Sequence, residues 1–198
     1  PLYIWLISGC SSGFGREFAL LALSLGDFVG VSSRKVEHVE DICKQYPKTS
    51  VAITLDVTKK QDINQAIETI TKTFGGLDVL VNNAGYGYLA AIEEGEDEEV
   101  RRLFETNFFG ALELTKTALQ GMRSQKFGRI INNSSQAGIM ANPGTGYYSS
   151  SKFALEGLME ALDKELRPLN IAVTSIQPGA FRTDWSGRSM KRSKNEIP

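Results

Sequence analysis

Tyr3-Ile-Trp-Leu-Ile-Ser-Gly-Cys-Ser-Ser-Gly-Phe-Gly15 runs from an apolar stretch straight into three glycines, Gly9, Gly13 and Gly15. A short apolar run bounded by turn residues reads as a buried strand. The residues from about Gly13 to Leu25 follow with helical patterning. Glycines between a strand and a helix allow a tight turn and a close approach of backbone to a pyrophosphate. The helix N-terminus adds N–H donors and positive potential. Gly9, Ser11, Ser12, Gly13, Phe14 and Gly15 are therefore candidate dinucleotide contacts. Their spacing is Gly-x-x-x-Gly-x-Gly, not Gly-x-Gly-x-x-Gly. Two other chemistries fit the stretch poorly. Gly9-Cys-Ser11-Ser-Gly13 matches a hydrolase nucleophile elbow, which needs an acid and then a histidine late in the chain. The sequence has one histidine, His38, placed early. A P-loop needs a lysine after the glycines, and none stands there.

The pattern repeats outward from this turn. Phe28–Ser32, Val51–Leu55, Leu77–Val81, Arg129–Asn133 and Ile171–Ile176 read as further strands, making six with Tyr3–Ser8. Helical patterns lie between them over Val36–Tyr46, Lys60–Phe74, a long stretch ending near Arg123, and Thr145–Arg167. Apolar strands alternating with helices predict an α/β domain, a doubly wound parallel sheet with helices on both faces. The acidic run Glu93, Glu94, Glu96, Asp97, Glu98, Glu99 is expected to complement the dipole of the long helix rather than bind metal. No metal site is expected, because one histidine and two cysteines build no zinc cluster.

The chain has 198 residues and a net charge of −1, consistent with one domain and giving no electrostatic reason to expect nucleic acid or a membrane surface. The first apolar run is too short to span a bilayer. Cys10 and Cys43 suggest no disulfide framework, so a reducing, cytoplasmic setting is expected. Cys10 reads as a small filler residue within the phosphate turn. The glycosylation sequons at Asn132 and Asn133 read as chance matches at the end of a buried strand.

Tyr148-Ser-Ser-Ser-Lys152 places a phenol and an ammonium one helical turn apart on the same face. A neighbouring cation favours the phenolate and brings the tyrosine toward the working range of a proton-transfer group. The second strand ends in Ser33-Arg34-Lys35 without the acid that would hold a ribose 2′-hydroxyl. A hydroxyl beside a guanidinium suits a 2′-phosphate, which favours NADP(H), with NAD(H) as the alternative.

Taken together, Gly9/Gly13/Gly15, Leu55-Asp56-Val57, Asn82-Asn-Ala-Gly85, Asn107, Ser134-Ser135, Tyr148-x-x-x-Lys152 and Pro178-Gly179 with Thr183 resemble the short-chain dehydrogenase/reductase family. The resemblance runs from Tyr3 to about Trp185. It implies Tyr148 as general acid or base, Lys152 as its modulator and a ribose ligand, Ser135 as donor to the substrate oxygen, and Asn107 as holder of a relay water. It implies adenine contacts from Asp56 and Val57. Asn83, Ala84 and Gly85 would line the cofactor, with Asn83 bracing the sheet. Pro178, Gly179, Phe181 and Thr183 would meet the nicotinamide. The implied activity is oxidoreduction between a carbonyl and a hydroxyl on a mostly apolar small molecule. The alternative is a dinucleotide-binding regulator without turnover. Homo-oligomers built on the helices carrying Asn107 and Tyr148 are also implied. Gln136, Met140, Tyr86, Tyr88, Phe181 and Trp185 are the candidate substrate-facing residues.

Family members usually continue well beyond Thr183, with a seventh strand and a substrate lid. Here residues 182–198 are polar and basic with no strand-like run, and from about 186 they are expected to supply at most part of a lid. The sixth strand would then be an open edge. It would be covered by a partner subunit, or by further chain if the sequence is part of a longer protein.

Overall fold

The computed structural model describes residues 2–181, 187 and 189–195. Six parallel strands lie in the order β3-β2-β1-β4-β6-β7. They are β1 (Ile4–Ile7), β2 (Phe28–Ser33), β3 (Ser50–Thr54), β4 (Val79–Asn82), β6 (Gly128–Asn133) and β7 (Ile171–Ile176). The order reverses direction between β1 and β4, which leaves a crevice at the carboxyl ends of those strands. The expected doubly wound sheet is present, with register Leu6↔Gly30 on one side of β1 and Leu6↔Leu80 on the other.

Alternate side chains of each strand feed two cores. On one face, α3 (Lys60–Phe74) and α5 (Ala111–Gln125) bury Ile63, Ile70, Leu114 and Met122 against Leu6, Leu80 and Ile130, with Leu166 of α6 (Gly146–Leu166). On the other, α1 (Gly13–Ser24) and α2 (Glu40–Gln45) bury Ala19, Leu23 and Ile42 against Ile7, Val29, Val31 and Val81. Gly30 sits where a Cβ would lie 2.8 Å from Ile70 and 2.9 Å from Ile53, so no larger residue fits the first core there.

Three expectations are corrected. The Val36–Tyr46 helix is a 3₁₀ turn, Val36–His38, followed by the short α2. The long helix after the acidic run is not continuous: α4 (Asp97–Phe104) passes into a π-helical turn, Glu105–Gly110, before α5. The tail, read as having no strand, contains β8 (Met190–Arg192), which pairs in parallel with β5 (Gly87–Leu89). Three-residue strands this far apart carry no period for sequence reasoning to find. Among the described residues, no helix is long and apolar enough to cross a membrane.

Candidate active site

The carboxyl ends of the six strands open onto one cavity of about 580 Å³. Gly9, Ser11, Ser12, Gly13 and Phe14 form its wall after β1. Gly9 has φ +75° and a Cβ there would lie 3.1 Å from Ala84 Cα, so both conformation and space require glycine. Gly13 has φ +57° and nothing within 4 Å of where a Cβ would be, leaving the first turn of α1 open. Gly15 does not line the cavity. A Cβ there would collide with Asn83 Nδ2 and sit 2.5 Å from Gly9 O. Its place is helix-to-turn packing, one layer behind the wall. Cys10 is fully buried and donates to Ile7 O at 3.1 Å, as a filler would, and burial pushes its thiol up to about 12.

The far end of the cavity carries Ser33, Arg34, Asp56 and Val57. Asp56 accepts from Thr58 N at 3.1 Å and Thr58 Oγ1 at 2.7 Å, which fixes the turn after β3. Val57 packs on the π turn, where a Cβ at Gly110 would lie 2.7 Å from Val57 Cγ2. Arg34 is exposed on the cavity rim with no acid at the strand end beside it.

Asn83 ties the sheet together. Its Nδ2 donates to Ser8 O at 2.8 Å and Gly9 O at 3.1 Å, and its Oδ1 accepts from Asn133 Nδ2 at 2.8 Å. Ala84 and Gly85 continue along the cavity from it. Asn107 is 1 % exposed and lies just behind that loop. It accepts from Tyr86 N at 3.0 Å and donates to Tyr86 O at 2.9 Å and Ser151 Oγ at 3.2 Å. The π turn sets Asn107 there, and such turns recur at functional positions. A Cβ at Gly85 would lie 3.0 Å from Asn107 Oδ1 and 3.8 Å from Lys152 Nζ, so these two polar atoms border the same small space.

Ser135, Tyr148 and Lys152 meet on the cavity wall. Ser135 follows β6 and accepts from Ala137 N at 3.1 Å, which holds its side chain in place. Its hydroxyl shares the cavity wall with Tyr148 and favours the phenolate there. Tyr148 and Lys152 lie in the first turns of α6 and are 8 % and 4 % exposed. Lys152 Nζ donates to Asn133 O at 2.9 Å and stands 5.9 Å from the Tyr148 ring centroid. Burial dominates both groups. It brings Lys152 down from 10.5 to about 8, against the pull of Glu156. It raises the Tyr148 phenol, and the Ser135 hydroxyl opposes that rise only in part. The expected lowering of the tyrosine is thus reversed in the protein alone, because desolvation outweighs the polar neighbours.

Tyr86, Gln136, Met140, Pro178, Gly179 and Phe181 also line the cavity, with Phe181 edge-on to Phe14 at 5.3 Å. Tyr88 does not. It is fully buried with Ala90, Leu103 and Tyr148, and its hydroxyl meets Glu96, so it supports the site from behind. Thr183 and Trp185 lie outside the described residues. Ser189 and Lys191 of the tail line the cavity and were not foreseen, nor were Thr106, Asn133, Ala137, Asn142 and Ala180. The tail pair has no local signal. The others adjoin foreseen residues, and proximity to those was the only clue.

A family model described as short chain dehydrogenase matches residues 4–194. The 3-ketodihydrosphingosine reductase of Bacteroides thetaiotaomicron is 43 % identical over 183 residues, covering 92 % of this chain and 65 % of that protein. A short-chain dehydrogenase from Streptomyces avermitilis superposes with a TM-score of 0.94 at 39 % identity, over 99 % of this chain and 73 % of the other. ElxO with NADP bound superposes with a TM-score of 0.88 at 31 % identity, over 93 % and 76 %. The chain spans about two thirds of the length of the curated relatives it matches. A parallel six-stranded sheet, a glycine turn after its first strand and a match over nearly every residue place this chain in the short-chain dehydrogenase family.

Proposed function

We propose that the protein is an NADP(H)-dependent oxidoreductase that interconverts a carbonyl and a hydroxyl on a mostly apolar small molecule. One observation carries this: Ser135, Tyr148 and the buried Lys152 open onto the same cavity as the glycine turn. The residues fit a dinucleotide. Gly13 leaves the start of α1 uncovered, and Lys152 brings a buried cation to the wall. Gly9 to Phe14 would hold the pyrophosphate, Asp56 and Val57 the adenine, and Asn83 to Gly85 the face of the cofactor. Lys152 would hold the ribose, and Pro178, Gly179 and Phe181 the nicotinamide, with Thr183 as a further contact. Ser33 and Arg34 would take a 2′-phosphate. The bound dinucleotide supplies hydride in reduction and accepts it in oxidation.

The protein's own task is to orient the substrate and move one proton. Ser135 and Tyr148 hydroxyls meet the negative charge that grows on the substrate oxygen, and Tyr148 releases its proton to it. A raised phenol is fully protonated at neutral pH, which suits the acid of the reductive direction. In oxidation Tyr148 takes the alcohol proton, and the charge on Lys152 favours the phenolate this requires. The space bordered by Asn107 Oδ1 and Lys152 Nζ would take a water leading from the ammonium toward solvent. The reductase name of the Bacteroides relative supports a ketone substrate. Phe109 and Phe153, exposed on the π turn and α6, support self-association through those helices. A cytoplasmic location belongs to the same proposal. A dinucleotide-binding regulator without turnover has the complete Ser135–Tyr148–Lys152 set against it.

Fluorescence titration with NADPH and NADH, followed by a screen of ketones, aldehydes and alcohols, tests the proposal. Tyr148→Phe is expected to lower turnover by about 10²–10⁴ while dinucleotide binding survives. Full activity in that variant refutes the role of Tyr148, and failure of both dinucleotides to bind refutes the function.

A further inference from the structure

We propose that Glu99 is a positioning residue that sets the substrate end of the cavity by holding two of its wall residues, Tyr86 and Lys191, on one carboxylate oxygen. The inference rests on the oxidoreductase reading for what the cavity binds, but not for how its wall is held. Glu99 Oε1 accepts from the Tyr86 hydroxyl at 2.7 Å and from Lys191 Nζ at 2.8 Å. The Lys191 ammonium also stands 4.9 Å from the Tyr86 ring centroid. Tyr86 and Lys191 line the cavity and Glu99 does not. Its carboxylate is 13 % exposed, in the first turn of α4, with Arg102 Nη1 3.8 Å away on the outer side.

The three residues come from parts of the chain with no local reason to meet: the loop after β4, the start of α4, and β8. Backbone bonds also dock the tail, from Gly87 N to Ser189 O at 2.8 Å and from Ser193 N to Leu89 O at 2.9 Å. Ser193 Oγ and Asn195 Nδ2 both donate to Glu94 O. The Glu99–Lys191 pair is the charged tie on β8 among the described residues, and the one that also reaches a cavity side chain. Charge-assisted hydrogen bonds are stronger than neutral ones, and this carboxylate is largely shielded from solvent. An apolar substrate would then lie against the Tyr86 ring and the methylene stem of Lys191, whose charged head is turned back to Glu99. Loosening Glu99 should widen this end of the cavity and leave Ser135, Tyr148 and Lys152 as they are.

The test has two readouts. The first is tryptic clipping after Lys191, Arg192 and Lys194, followed by mass spectrometry on the whole protein without ligand. Glu99→Ala should be clipped about tenfold faster than wild type, a factor equal to about 1.4 kcal/mol. Glu99→Gln, which keeps an acceptor for Tyr86 but loses the charge, should fall between. The second is steady-state kinetics with the ketone identified by the screen. KM should rise about tenfold in Glu99→Ala and in Lys191→Met, with kcat within about twofold and NADPH affinity unchanged. Lys191→Met cuts only the tail side, so it keeps the test open if Glu99→Ala folds poorly. Clipping at the wild-type rate overturns the proposal, as does faster clipping with unchanged KM. If the wild-type protein reduces no ketone, the reading of function fails, and the clipping rates still decide whether Glu99 holds the wall.

Discussion

Lys152 places an ammonium where water hardly reaches it, and this should be measurable as a pH-dependent stability. The group is 4 % exposed, and burial lowers it from 10.5 to about 8. The unfolded chain binds the proton up to pH ~10.5 and the folded one only to pH ~8. Between those values the unfolded state carries more protons, so stability rises with pH. The contribution is fully present above the unfolded value and is lost as pH falls through the folded one. At about 1.4 kcal/mol per pH unit, wild type should gain about 2–3 kcal/mol between pH 7 and pH 10 relative to Lys152→Met. Using the variant as reference cancels the titration of other groups. Urea unfolding of both proteins at about pH 7, 8, 9 and 10 gives the difference directly. The methionine variant loses the hydrogen bond to Asn133 O, which offsets it by a constant amount and leaves the slope alone. A wild-type minus variant difference that stays flat across this range would refute the idea that burial controls this lysine.

Three further outcomes are expected. Gly15→Ala should cost about 1–3 kcal/mol and weaken dinucleotide binding, because its methyl meets Asn83 and Gly9 backbone; an unchanged urea midpoint would contradict this. Arg34→Ala should weaken NADPH about tenfold and leave NADH alone, read by fluorescence titration; equal losses for both would remove the 2′-phosphate role. Cys10, whose thiol rises from 9.0 to about 12, should have a thiolate fraction about a thousandfold below an ordinary cysteine. A thiol reagent should therefore label Cys43 first and reach Cys10 only on unfolding.

The legible parts of this chain were those with strong local chemistry. Ile4–Ile7 and Val79–Asn82 are short, mostly apolar runs between turn residues, and strands of a buried parallel sheet have that signature. Gly9 and Gly13 announced the turn because few other residues tolerate their φ values. Tyr148 and Lys152 were placed on one helix face by spacing alone, and both line the cavity. Long-range packing was not legible. Tyr86 and Tyr88 have the same chemistry two residues apart, yet β5 turns the second into the core. The direction of the Tyr148 shift depends on how much water the fold removes, which no spacing encodes. The β5–β8 pairing rests on backbone groups that every residue has.

The π turn at Glu105–Gly110 fixes a helical phase. An α-helix advances about 100° per residue, so a single inserted or deleted residue rotates everything on one side by that angle. α4 must bury Leu103 and present Glu99, while α5 must bury Leu114, Ala118 and Met122. The wider turn between them reconciles the two faces and points Asn107 at Tyr86. Residue count between Phe104 and Ala111 is therefore as constrained as residue identity. Removing one residue there would leave every side chain chemically intact and aim half of them wrongly.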